Sequence, residues 1–209
     1  MYTLYYSPGA ASMLPHLLLI EAQAPYELRP VDLAAGGQRD PEYLKLNPNG
    51  VVPTLLVNEA PYYEAAALAQ LIAENHPEAA LAPPLGTARR ATYLQWMTHL
   101  ANTLQPAYRL WFYPGDAGAV DPDAVKAAAR QKIETIWERI DALLSDGRAY
   151  FVGDGPTALD FYALMLMRWS RNMPRPATEW PHLKAFAERM KARPSWKTLY
   201  EREGLTEWA

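Results

Sequence analysis

Three short stretches of this chain hold the residues that could do chemistry. Tyr5 and Tyr6 run into the turn Ser7-Pro8-Gly9, and Ser12 follows where an apolar stretch begins. A serine at such a helix start ordinarily caps it, accepting a hydrogen bond from a first-turn amide. Val52-Pro53 is an X-Pro bond, which is either a plain loop-to-strand turn or, turned cis at modest cost, presents the Val52 backbone to a ligand. Glu64-Ala65 opens a helix directly after a strand, where unpaired amide N–H groups attract an anion. Glu64 there is either a partner for a ligand cation or a cap for its own helix. The chain has no cysteine, which removes disulfides, thiolate metal sites and a cysteine nucleophile. His16, His76, His99 and His182 show no spacing with carboxylates that would make a metal site, and His16 and His182 read as structural.

The elements that must position these groups follow from pattern. Tyr2 to Tyr6 reads as a strand ended by its turn, and Ser12 to Ala22 as a helix with Leu14, Leu17 and Leu18 at helical spacing. Pro15 falls in the first turn, where a missing N–H matters least. Tyr26 to Val31 is a second strand. Thr54 to Val57 and Tyr62–Tyr63 read as a hairpin around Asn58-Glu59-Ala60-Pro61, and Ala65 to Glu74 as a helix stopped by Asn75-His76-Pro77. That order, β-α-β, loop, β-β-α, is that of a thioredoxin-like α/β unit. The Pro-rich stretch from Pro77 to Gly86 is the candidate linker. Beyond it the pattern is helical: Thr87 to Leu110 with a bend at Pro106, and Asp123 to Leu144 with Ile133, Ile136, Trp137, Ile140, Leu143 and Leu144 on one stripe. Leu183, Phe186, Ala187 and Met190 repeat that spacing. The expected division is residues 1–77, a linker over 78–86, and an all-α domain over 87–209.

Bulk properties narrow the classes. The 209 residues are half hydrophobic and carry a formal net charge of -3, ordinary for a globular protein. Mild acidity argues against a nucleic-acid partner, since Arg89–Arg90 and the pair Arg168 and Arg171 are the notable basic spots. No stretch approaches a membrane span and the start lacks a signal-peptide pattern, so a cytoplasmic location is expected.

Five segments together resemble the soluble glutathione transferases, especially the bacterial beta-like branch. They are Tyr5-Tyr6-Ser7-Pro8-Gly9-Ala10-Ala11-Ser12 with Pro15-His16, Leu46 through Leu55 with Asn47-Pro48-Asn49-Gly50 and Val52-Pro53, Tyr63-Glu64-Ala65, Thr157-Ala158-Leu159-Asp160, and Trp180-Pro181-His182-Leu183 through Ala192-Arg193-Pro194. The resemblance implies a thioredoxin-like N-terminal domain, an all-α C-terminal domain and a homodimer. It implies glutathione as co-substrate, no metal, and attack of the glutathione thiolate on a small, apolar electrophile. Val52 and cis Pro53 would pair with the cysteinyl part, and Glu64 and the Ala65 amide would hold the γ-glutamyl end. Ala11 would lie in the binding site, Gln38 or Arg39 near the glycine carboxylate, and Asn102, with Thr98 and Gln105, along the cleft. Ser12 is the candidate to steady the sulfur, with Tyr6 as runner-up and Tyr5 on the opposite strand face. Thr157 to Asp160 has the form of a capping box, a folding element.

The chain departs from the beta-like pattern twice. Ala11 stands where the branch usually carries cysteine, which rules out a mixed disulfide with the protein. Gln105-Pro106 aligns with the family's histidine-lysine pair, so that imidazole is gone. An isomerase or dehalogenase on the same scaffold, or a non-catalytic carrier of glutathione or apolar ligands, are the competing readings. Tyr108, Trp111, Phe112 and Tyr113 read mostly as core, with one or two rings free to wall an electrophile pocket.

Overall fold

The computed structural model describes residues 1–118 and 121–208, which fall into two compact units. One comprises Met1–Ala82 together with the chain from Lys191 onward; the other is Pro83–Met190.

In the first unit, strands β1 (Tyr2–Tyr6), β2 (Tyr26–Pro30), β3 (Thr54–Val57) and β4 (Ala60–Tyr63) form a sheet in the order β2-β1-β3-β4. β1 runs parallel to β2 and antiparallel to β3, and β3 antiparallel to β4, so this is the thioredoxin-like mixed sheet expected. Helix α1 (Met13–Glu21) crosses from β1 to β2, α2 (Pro41–Leu46) precedes β3, and α3 (Ala65–Asn75) follows β4. Met13, Leu14, Leu17, Leu18 and Leu19 of α1 are all fully buried, more than one stripe, because α1 packs against both α3 and the C-terminal helix α9 (Pro194–Glu203).

Two local details differ from the sequence reading. The hairpin turn is Asn58-Glu59 alone, both in the left-handed region at φ 49° and 71°, and Val57 pairs with Ala60. Two-residue hairpins demand that geometry, which asparagine tolerates, so Ala60 and Pro61 join the strand instead of the turn. Pro61 is acceptable there because β4 is an edge. Helix α2 was not expected at all. Its signal was Asp40-Pro41: the Asp40 carboxylate accepts from Glu42 N–H at 2.8 Å and Pro41 occupies the first helical position. Within the expected linker, Pro77–Ala79 forms a short 3₁₀ turn.

The second unit is helical. Helix α4 (Ala88–His99), capped by Thr87, passes through a π-helical turn at Leu100–Leu104 into α5 (Gln105–Phe112). Pro106 explains the irregularity: it has no N–H for the Asn102 carbonyl and its ring crowds that group. The wider turn, with Gln105 N–H reaching Leu100 O, absorbs the conflict. Helix α6 (Pro122–Leu144) starts one residue earlier than expected, with Asp121 accepting from Asp123 N–H at 3.0 Å. Helix α7 (Ala158–Trp169) is buried from Ala158 to Arg168 and forms the centre, and α8 (Pro181–Lys191) follows. Asp141 on α6 accepts from both His182 and Leu183 N–H, at 2.8 and 2.9 Å, and so caps α8 from another helix. No described helix is long and apolar enough to cross a membrane.

Candidate functional site

Strand register brings the separated segments to one end of the first unit's sheet. Tyr5 pairs with Thr54, and Thr54 pairs with Tyr63. The turn after β1, the Val52-Pro53 bond before β3 and the start of α3 after β4 therefore line one edge in that order. Neighbouring strands lie about 4.8 Å apart, so the row from β1 to β4 spans roughly 10 Å. An extended tripeptide has that reach, at roughly 3.3–3.6 Å per residue.

The turn from Ser7 to Ser12 is held from within and from behind. Gly9 is left-handed at φ 74°, a conformation that glycine takes without strain. Ala10 N–H donates to Ser7 O at 3.1 Å, and Met13 N–H to Ala10 O at 3.0 Å. Ser12 is wholly buried; its hydroxyl donates to Ser7 O at 3.1 Å and accepts from Ser7 N–H at 3.2 Å. It makes no side-chain bond to its helix, so the capping role is not realised. Its proton is directed at Ser7 O, so the hydroxyl is engaged within the turn. Behind the turn, Gly9 N–H donates to Glu203 Oε2 at 2.9 Å, and Glu203 Oε1 meets His16 Nδ1 at 2.8 Å. His16 Nε2 meets the Tyr26 hydroxyl at 2.9 Å, so both ring nitrogens are engaged and the histidine is structural. Tyr6 is half-buried, its ring 6.1 Å from that of His16, whereas Tyr5 packs on Tyr43.

The Val52-Pro53 bond is cis. The preceding Asn47-Pro48-Asn49-Gly50 turn depends on its glycine twice. Gly50 is left-handed at φ 60°, and a Cβ there would lie 3.2 Å from Gln38 O and 3.3 Å from the Leu44 side chain. Gln38 thus sits directly against this turn; it is half-buried, and its Oε1 is buried without a partner.

At the start of α3, Glu64 is exposed and occupies the N-cap position at φ 74°, ψ 105°, with no side-chain bond to the helix. It does not cap. A non-glycine residue in that region carries about 1–3 kcal/mol of strain. Ala65, behind it, is buried.

The remaining candidates belong to the second unit. Asn102 is exposed in the π turn, and Gln105 accepts the Tyr162 hydroxyl. Tyr108 is fully buried, accepts Trp137 Nε1–H at 2.8 Å, and is pushed well above the usual tyrosine range by that burial. Phe112 and Tyr113 are exposed, so the core reading of the aromatic run holds only for part of it. A cavity of about 370 Å³ in this unit is lined by Arg89, Asp146, Arg148 and Tyr150, but its arginines already pair with Asp154 and Asp146. Among the described residues no group of three metal-ligating side chains comes together.

Sequence reasoning missed Glu203, Tyr43 and the strand register itself. The first two act through contacts to distant or apolar-looking positions, for which no local pattern exists.

Comparison with known proteins shows the family. Residues 2–80 match the family described as "Glutathione S-transferase, N-terminal domain", and residues 97–194 that described as "Glutathione S-transferase, C-terminal domain". Glutathione S-transferase GST-4.5 of Xanthomonas campestris pv. campestris is 34% identical over 207 residues, covering 97% of this chain and 98% of that protein. The structure of the beta-class glutathione S-transferase of Sphingomonas chungbukensis superposes with a TM-score of 0.86 at 29% identity, over 98% of this chain and 100% of that one. A sphingomonad glutathione S-transferase complexed with glutathione gives 0.86 at 30% identity, with the same coverage.

Proposed function

The chain belongs to the glutathione S-transferase family, and from that premise we propose how its first unit holds glutathione and readies the sulfur. The enzyme is a glutathione transferase that works without a cysteine of its own. Glutathione lies along the edge defined by Tyr5, Thr54 and Tyr63, its γ-glutamyl end at α3, its cysteinyl part on Val52 and its glycine toward Gln38. The observation that supports this most is the register, which aligns two helix starts and the cis Pro53 bond over a tripeptide's length.

At α3 the first-turn amides attract the γ-glutamyl carboxylate, and the uncommitted Glu64 carboxylate meets the α-ammonium. At α1 the Met13 and Leu14 N–H groups already bond to the Ala10 and Ala11 carbonyls, so the sulfur faces the N–H groups of the preceding turn at Ala11 and Ser12. A free thiol titrates near 8.5, and lowering that by two units takes about 2.7 kcal/mol. A hydrogen bond to a charged acceptor supplies roughly 1.5–3 kcal/mol and a helix N-terminus roughly 0.3–1. Backbone donors at the Ala11–Ser12 turn therefore suffice. Ser12 shapes the turn, and Tyr6 is the phenol available to assist. The thiolate then attacks an electrophilic carbon of a small, apolar substrate, and its leaving group departs with the bonding electrons. The chain works as a cytoplasmic homodimer, a state that sedimentation velocity reads directly.

The test is ultraviolet titration of bound glutathione. The bound thiol is expected to ionise about two units below the free one, in the wild type and in Ser12→Ala alike. A bound thiol titrating at its free value would overturn the mechanism, and no binding at all would overturn the assignment of the edge.

A further inference from the structure

The segment before Pro53 is gripped from its inner side by three buried polar residues. Val51 C=O accepts the Tyr43 hydroxyl at 2.7 Å and Asn47 Nδ2–H at 2.8 Å. Thr54 Oγ1 lies 2.9 Å from the Tyr43 oxygen and 3.2 Å from Asn47 Nδ2. Tyr43 is 6% exposed, and Asn47 and Thr54 are both at 0%. Because the Tyr43 proton goes to Val51, the Thr54 hydroxyl donates to Tyr43 and itself accepts from Asn47. Asn47 Oδ1 accepts from Asn49 N–H at 3.1 Å, which occupies the rest of the amide. Every polar atom of the cluster thus has a partner, and such networks hold one geometry. The Tyr43 ring also packs against Val52 and Val31, with Tyr5 alongside.

The consequence for the ligand comes from peptide planarity. Val51 C=O and Val52 N–H belong to one rigid, trans peptide unit and point in opposite directions. Two donors on the carbonyl fix that unit's rotation and so aim the Val52 N–H away from the cluster. We propose that Tyr43 is a positioning residue for glutathione: by holding the Val51 carbonyl it fixes the direction of the Val52 N–H that pairs with the cysteinyl backbone. This inference rests on the reading that glutathione lies along Val52. Tyr43 touches no reacting atom; it acts through Val52.

The test pairs Tyr43→Phe with Thr54→Val. Tyr43→Phe keeps the ring packing and leaves Asn47 as the lone donor to Val51. Losing one net hydrogen bond's worth of order raises the Kd and KM for glutathione about three- to tenfold, with kcat changed less than about twofold. Thr54→Val leaves both donors to Val51 in place, so its effect is expected to be smaller, about twofold. Calorimetric titration with glutathione gives Kd, turnover of an aromatic halide gives the split between KM and kcat, and thermal unfolding monitors the fold. An unchanged Kd in Tyr43→Phe overturns the positioning role while leaving the binding site intact. Equal losses in kcat and binding, accompanied by a lower Tm, also overturn it, since that is general loosening. A wild type that fails to bind glutathione overturns the parent reading and this inference with it.

Discussion

The starts of α7 and α3 solve the same problem in opposite ways. Each helix begins with backbone N–H groups that have no partner inside the helix. At α7 the chain closes the start itself with a capping box: the Thr157 side chain meets the Asp160 N–H, and the Asp160 carboxylate accepts from Thr157 N–H and the Thr157 hydroxyl at 2.8 Å each, and from Phe151 N–H at 2.9 Å. At α3 the residue in the cap position, Glu64, makes no side-chain bond to its helix, whereas α1, also uncapped by Ser12, has its Met13 and Leu14 N–H groups bonded to the Ala10 and Ala11 carbonyls. Ser12 spends its hydroxyl on Ser7, and Glu64 turns outward in a strained conformation. The contrast teaches that a closed cap serves folding, whereas a start left open, as at α3, keeps its N–H groups free for an anion.

The largest expected effect breaks the closed cap. Asp160→Ala leaves buried donors at Thr157 and Phe151 without an acceptor, which costs about 3–5 kcal/mol of stability in denaturant titration. Glutathione affinity of the folded fraction is expected to stay within twofold. The same carboxylate makes the comparison pH-dependent. Burial pushes its pKa up to about 6, against the lowering pull of the bonds from Thr157 and Phe151. The unfolded value is about 3.9, so the folded chain holds the proton more tightly. Its contribution is therefore fullest below about pH 4 and is lost as pH rises through about 6, by about 3 kcal/mol. The stability difference between wild type and Asp160→Asn, measured across that window, is expected to fall accordingly; a flat difference would remove Asp160 as its source.

Next in size is the tether behind the turn that leads into α1. Glu203→Gln removes a buried charge that holds both Gly9 N–H and His16, at a cost of about 2–3 kcal/mol. Unlike Asp160→Ala, it is expected also to raise the KM for glutathione, since Gly9 belongs to the turn that carries the Ala11 and Ser12 amides. Ser12→Ala, which frees only the Ser7 amide and carbonyl, costs about 1–2 kcal/mol. Its bound thiol pKa is expected to stay put. A shift of a full unit in that variant would return the hydroxyl to the sulfur.

What could be read from the sequence follows the same line between local and distant causes. The thioredoxin-like element order and Pro53 are encoded within a few residues, through alternation, turn residues and the X-Pro bond. The capping box at Thr157 was visible because its partners lie three positions apart. The hairpin was misplaced by two residues because Asn58-Glu59 lacks the glycine that usually marks such a turn. Glu203 could not be found: its partner Gly9 is 194 positions away, and nothing around it differs from an ordinary helix surface. Tyr43 is a core residue that no motif marks; only coordinates reveal where its hydroxyl points.

The smallest effect is the most discriminating, because stability and binding are expected to move in opposite directions. Glu64 sits at φ 74°, a region that glycine enters freely. Glu64→Gly removes that strain, and the gain is offset in part by the greater freedom of glycine in the unfolded chain. A net stabilisation of about 0.5–1 kcal/mol, or a rise of a few degrees in Tm, is expected. Loss of the carboxylate proposed to meet the α-ammonium is expected to raise the KM for glutathione about tenfold, the size of one charge-assisted hydrogen bond. Glu64→Gln separates the two terms: it keeps the strain and an acceptor oxygen but loses the charge, so Tm stays while KM rises less. If Glu64→Gly lowered both Tm and affinity, the residue would be supporting its helix, and the open start of α3 would be no different in kind from the closed one at α7.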